Sequence, residues 1–241
     1  MRLLALILLA SCFLSGSNAL AYSGAGGFVN IALGESQAAA GLKEALLTSA
    51  TDAVNLTGRR NGYFDNNAIK ILLPQQLRPV ATGLRAVGYG PQLDQFVLSM
   101  NRAAEAAAPK AEPIFRRAIT NMSFTDAQRI VSGGGHSATD YFKRKTSDEL
   151  RDAFAPIVKR TMAQYDVTKQ YDNLMGHYQS GAMGLGGMLG GVAQNFDLNR
   201  YVTQKALDGL FYVIGQKEVK IRTNPAAQVT PLLRQVFGET H

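Results

Sequence analysis

The chain has 241 residues, 46% of them hydrophobic and 18% charged, with no tryptophan and a formal charge of +7. Such a composition belongs to a globular protein with a real core, long enough to need neither metal nor disulfide for stability. Cys12 is the only cysteine, which excludes a disulfide framework.

The first residues read as an export signal. Arg2 precedes an apolar run from Leu3 to Leu14, and Ala19-Leu20-Ala21 gives the small-x-small pattern of a cleavage site. The run is shorter than the roughly 20 apolar residues that span a bilayer. The expectation is a signal peptide over 1–21, a mature N-terminal segment over 22–40, and a periplasmic protein without cysteine. Leu9-Ala10-Ser11-Cys12 resembles a lipobox, so a lipoprotein anchored through Cys12 is the alternative; its early position and the apolar Phe13 and Leu14 weigh against it. Cleavage after Ala21 would exclude thiol catalysis and zinc-thiolate sites.

Helical periodicity dominates the rest. Leu42, Ala45, Leu46, Ala53, Val54 and Leu56 form one stripe, closed by Gly58. Ala68 to Leu73 is the one short run with strand character. Leu77, Val80, Leu84 and Val87 form a second stripe ended by Gly88. Pro91 suits the first turn of a third helix carrying Leu93, Phe96, Val97, Met100, Ala103, Ala104 and Ala107, which Pro109 ends or bends. Ile114, Phe115, Ala118, Ile119 and Met122 mark a fourth. Ser123 N-caps a short helix with Phe124, Ala127, Ile130 and Val131 inward, and Asp126 meets its positive end.

Ser147 caps a helix through Leu150, Phe154, Ile157, Val158 and Met162, which Pro156 kinks or splits. A long amphipathic helix starts near Asp197, and Asn224-Pro225 opens a last one. The fold class expected is all-α: a multi-helix bundle with one domain over 41–238.

Three stretches stand apart. Residues 59–67, "RRNGYFDNN", form a turn-rich loop tightest at Asn61-Gly62. Residues 180–195 hold a glycine-rich loop, read as a connector, with an interfacial or partner-binding loop as the sharper alternative. Residues 133–145, "GGGHSATDYFKRK", admit three readings. A triad of His136, Ser137 and Asp140 is disfavoured, because neighbours in a chain rarely point at one another.

An anion cradle before a helix start would use Gly134, Gly135, His136, Ser137, Lys143 and Arg144. A joint between helices explains every residue without a ligand: Gly133 in the left-handed position, Ser137 as N-cap, and Ala138, Tyr141 and Phe142 inward.

No metal spacing appears among His136, His177 and His241, and no cofactor box; no cofactor is expected. The cations come as dispersed pairs and read as solvated helix faces, and nucleic acid is disfavoured. "GLKEAL" (41–46), "LSMNRAAEAAAPKAEPIF" (98–115), "ATDYFKRKTSDEL" (138–150) and "YVTQKALDGLF" (201–211) together resemble a bacterial family catalogued as domain of unknown function 4197. The resemblance runs from about Gly41 to Gly238 and implies an exported helical protein. It brings no activity or catalytic residue. The function expected is a non-enzymatic binding or structural component of the cell envelope. Its partner would be a protein, a lipid or an anionic polymer, with peripheral membrane contact. The alternative is a hydrolase or small-ligand carrier whose site forms only in the fold.

Overall fold

The computed structural model describes residues 24–166, 169, 172–173, 176 and 196–223, with side chains from residue 39. The signal peptide expected over 1–21, the glycine-rich stretch 180–195, His177, His241 and the helix expected after Asn224 lie outside the described residues. The chain divides into two units, Met1–Ser36 and Gln37–His241. Of the first, the described residues 24–36 are helical. The second holds the helical bundle and its clefts.

The fold is all-α, with no strand among the described residues. Helix α1 (Gly24–Gly58) is followed by a long loop and a 3-10 turn, Gln75–Leu77. Then come α2 (Arg78–Ala86), α3 (Gly90–Ala107), a 3-10 turn around Pro109, α4 (Ala111–Thr120), α5 (Phe124–Ser132), α6 (Ser137–Gln164) and α7 (Leu198–Thr223). No described helix is long and apolar enough to cross a membrane.

The apolar stripes close the bundle. Helix α6 packs against α3, α4, α5 and α7, and α7 also packs on α3. Phe115, Phe142 and Phe211 meet edge to face at the junction of α4, α6 and α7, with centroids 5.0 and 6.2 Å apart. Phe96, Phe115, Phe142 and Phe154 are fully buried, each contributing roughly 1.5–3 kcal/mol. Val87 and Phe124, expected inward, are exposed: Val87 is the residue after α2 and Phe124 the first of α5, where the stripe has left the core.

Helix ends follow local chemistry. Gly88 takes φ +94°, and the paired bonds Gly88 N–H to Arg85 O and Tyr89 N–H to Leu84 O close α2 in a Schellman motif. Asp197 caps α7, its Oδ1 accepting from Arg200 N–H at 2.9 Å. Ser123 caps α5 as expected: its Oγ accepts from Asp126 N–H at 3.1 Å and donates to the Asp126 carboxylate at 2.7 Å. That hydroxyl holds the Asp126 carboxyl below its usual range. The stabilisation is therefore present above the ordinary carboxylate pKa and fades as pH falls through the depressed one.

The joint at 133–137 is built differently from expectation. Gly133 has φ −86° and ψ 175°, extended and not left-handed. What it needs is room, since a Cβ there would lie 2.1 Å from Ser137 Oγ. Ser137 is the first helical residue and not the N-cap; its hydroxyl donates to Gly134 O at 2.8 Å. The separate helix expected from Ser147 is also absent. Helix α6 runs unbroken from Ser137 through Ser147 and past Pro156. Replacing Ser123 by alanine should cost roughly 1 kcal/mol, and replacing Ser137 much less. Urea midpoints at unchanged m-value read both.

Candidate functional site

Residues 59–74 form a sixteen-residue connection between α1 and the first 3-10 turn. Connections beyond about 12–15 residues without regular structure are uncommon in compact domains and usually functional. This one is held from beneath by buried polar side chains. The Glu105 carboxylate, on the inner face of α3, accepts from the N–H groups of Tyr63 and Phe64 at 3.2 Å each. Arg102 bridges the other Glu105 oxygen to Asn61 Oδ1. Asn61 takes the left-handed conformation, φ 66°, and a Cβ on Gly62 would lie 2.3 Å from Leu56 O.

Further along, Asn101 grips Ile71 at both ends. Its Oδ1 accepts from Ile71 N–H and its Nδ2 donates to Ile71 O, both at 2.9 Å. Residues 68–73 thus form no strand; an amide side chain takes the neighbouring strand's place. Tyr63, fully buried, donates to Ala206 O on α7 at 2.6 Å. Burial pushes its phenol above the usual range, and the Glu105 carboxylate adds to the shift. The loop lies flush on α7 because residue 209 is glycine. A Cβ there would stand 2.6 Å from the Tyr63 ring and 3.1 Å from Ile69 Cβ.

Loop and helix enclose an open cleft of about 560 Å³. Lys70, Arg78 and Lys205 line it as cations, with Gln75, Gln76, Tyr201, Tyr212 and, among the described residues, a single acid, Asp208. Lys70 Nζ lies 3.8 Å from the centroid of the Phe64 ring, which fixes where the ammonium sits. Tyr201 donates to Leu72 O at 2.8 Å and stitches the loop's outer edge to α7. Partial burial raises the Tyr201 phenol, so it is a neutral donor at physiological pH.

An adjoining cleft of about 660 Å³ shares Asp208 and Tyr212 and runs between α6 and α7. Here the structure places two of the expected anion candidates: His136 and Lys143 line it with Asp140, Phe211 and Gly215. Gly134, Gly135 and Arg144 are exposed, and Ser137 is turned to Gly134 O. The helix start that would have cradled an anion is already occupied. The Glu218 carboxylate, from α7, accepts from the N–H groups of Ala138 and Thr139 and from the Thr139 hydroxyl at 2.8–2.9 Å. Arg222 pairs with the same carboxylate at 3.0 Å and donates to Ile130 O at 2.7 Å. Another open cleft, of about 810 Å³ between α6 and the start of α7, is lined by Arg151, Lys159, Arg200 and Asp197, with no aromatic side chain among its described lining residues.

Glu105 and Glu218 are the buried charged residues among those described, and each is engaged by backbone N–H groups and by an arginine, Arg102 or Arg222. Among the described residues no group of three His, Cys, Asp or Glu side chains is placed to hold a metal ion. Sequence reasoning missed Asn101, Glu105 and Glu218, as well as the cleft residues Lys70, Arg78, Lys205 and Tyr201.

No curated protein and no solved structure matches the chain. Residues 32–238 match the family described as "Protein of unknown function (DUF4197)". The match takes in both the anchored loop and the α7 face it packs on, and the chain belongs to that family.

Proposed function

We propose that this protein is an exported, non-enzymatic binding protein of the bacterial cell envelope. Its ligand is anionic and sits in the cleft between the anchored loop and α7. One observation carries the reading: a sixteen-residue irregular loop is fixed by Glu105, Asn101 and Tyr63, and its Lys70 lines the same cleft as Lys205 and Arg78. Buried polar side chains that are hydrogen-bonded to a loop fix its position, and loops held on a rigid scaffold are where binding residues tend to sit. His136 and Lys143 continue the same face beyond Tyr212. The formal charge of +7 favours encounter with anionic lipid or polymer.

Chromatography on phosphocellulose tests it. The triple variant Lys70→Ala/Arg78→Ala/Lys205→Ala should elute at clearly lower salt than the wild type. The charge-matched control Lys110→Ala/Arg129→Ala/Lys145→Ala should stay close to the wild type. Equal displacement of the two variants would mean that net charge alone sets retention, and the cleft would lose its role.

A further inference from the structure

Resting on that anion-binding reading, we infer that the cleft beside α7 recognises a polyol phosphate: a phosphate ester carrying free hydroxyls, as in glycerol phosphate. The cations account for the phosphate, since Arg78, Lys70 and Lys205, from three separate segments, all line one opening. Asp208 is what a bare anion would not explain. A carboxylate among three cations repels phosphate and lowers affinity for it. It becomes useful if the ligand brings O–H donors.

Asp208 accepts from Gln204 at 2.9 Å and pairs with Lys205 at 3.4 Å. A carboxylate has about four acceptor directions, so sites remain for hydroxyls. Gln75 and Gln76 add neutral donors and acceptors, which suit hydroxyls as well as ester oxygens. Tyr201 and the half-exposed Tyr212 also line the opening. The volume, about 560 Å³, is that of a small organic ligand and far exceeds a phosphate ion.

Two sources supply this chemistry, a lipid headgroup and a soluble or polymeric ester, and the experiment separates them. Calorimetry on the protein in the form that the cell accumulates would use glycerol 1-phosphate, inorganic phosphate and glycerol. Glycerol 1-phosphate should bind about tenfold more tightly than inorganic phosphate, the worth of one or two extra hydrogen bonds. In Asp208→Asn that ratio should collapse from both sides, with inorganic phosphate binding better and the ester worse. General damage to the fold would weaken both.

Vesicles of phosphatidylglycerol, against phosphatidylcholine, give the second arm. Capture by the first alone, competed by glycerol 1-phosphate, assigns the headgroup. Binding of the soluble ester without vesicle capture assigns a free or polymeric ester. Equal affinity for inorganic phosphate and the ester overturns the polyol inference and leaves the anion reading standing. Absence of both, with no difference between the phosphocellulose variants, removes the two together.

Discussion

Glu218→Ala should lower the unfolding free energy by about 3–5 kcal/mol, the largest effect expected of any single substitution in the bundle's polar anchors. The carboxylate is 7% exposed and serves two clients at once. It completes the first turn of α6, where Ala138 N–H, Thr139 N–H and Thr139 O–H all donate to it. It also neutralises Arg222, whose side chain is mostly buried. Alanine would orphan the donors and remove the carboxylate that faces the Arg222 guanidinium.

An ordinary buried ion pair can be replaced on both sides by apolar residues with little loss. This one should resist that rescue. Glu218→Met/Arg222→Met would remove both charges yet still leave the two N–H groups of α6 without the acceptor that Glu218 supplies. Urea unfolding at constant m-value gives the comparison. Full recovery in the double variant would show that the cap contributes nothing.

The helices were legible because burial repeats every third or fourth residue, and the stripes of α1 and α3 fall on the apolar positions named from sequence. Caps were legible only where the partner is local. Ser123 and Asp126 are three residues apart and bond as expected. At Ser137 the same local logic failed, because the acceptor for Thr139 N–H comes from Glu218, 79 residues away. A capping preference cannot anticipate a carboxylate delivered by a distant helix.

A signal for it was present all the same. Glu218 lies four residues after Ile214 on the buried stripe of α7, and Asn101 and Glu105 interrupt the buried stripe of α3. A polar residue on an apolar stripe announces an internal partner, though not which one. The cleft was illegible for a related reason. Lys70, Arg78 and Lys205 belong to a loop, a short helix and the last described helix, so no spacing joins them.

Glu105→Ala is expected to cost about 3 kcal/mol or more and to undo the cleft as well. Glu105 is 4% exposed, and its two oxygens are divided between the loop backbone and Arg102. Removing it leaves Tyr63 and Phe64 N–H without acceptors and a mostly buried guanidinium without its carboxylate. The loop would then keep its hold at Ile71, through Asn101, and lose it at the tight turn. Amide exchange separates this local failure from global unfolding. Tyr63 and Phe64 amides should exchange orders of magnitude faster, while core amides of α6 change only by the drop in global stability.

Glu105→Gln sharpens the comparison. Its carbonyl can still accept from the loop, but its amide cannot neutralise Arg102. It should therefore protect the Tyr63 and Phe64 amides while remaining less stable than the wild type. If Glu105→Ala unfolds cooperatively with no local excess of exchange, the loop is not an independently anchored element. Retention on phosphocellulose should follow loop protection across these variants and not total stability, because Lys70 sits where the loop puts it.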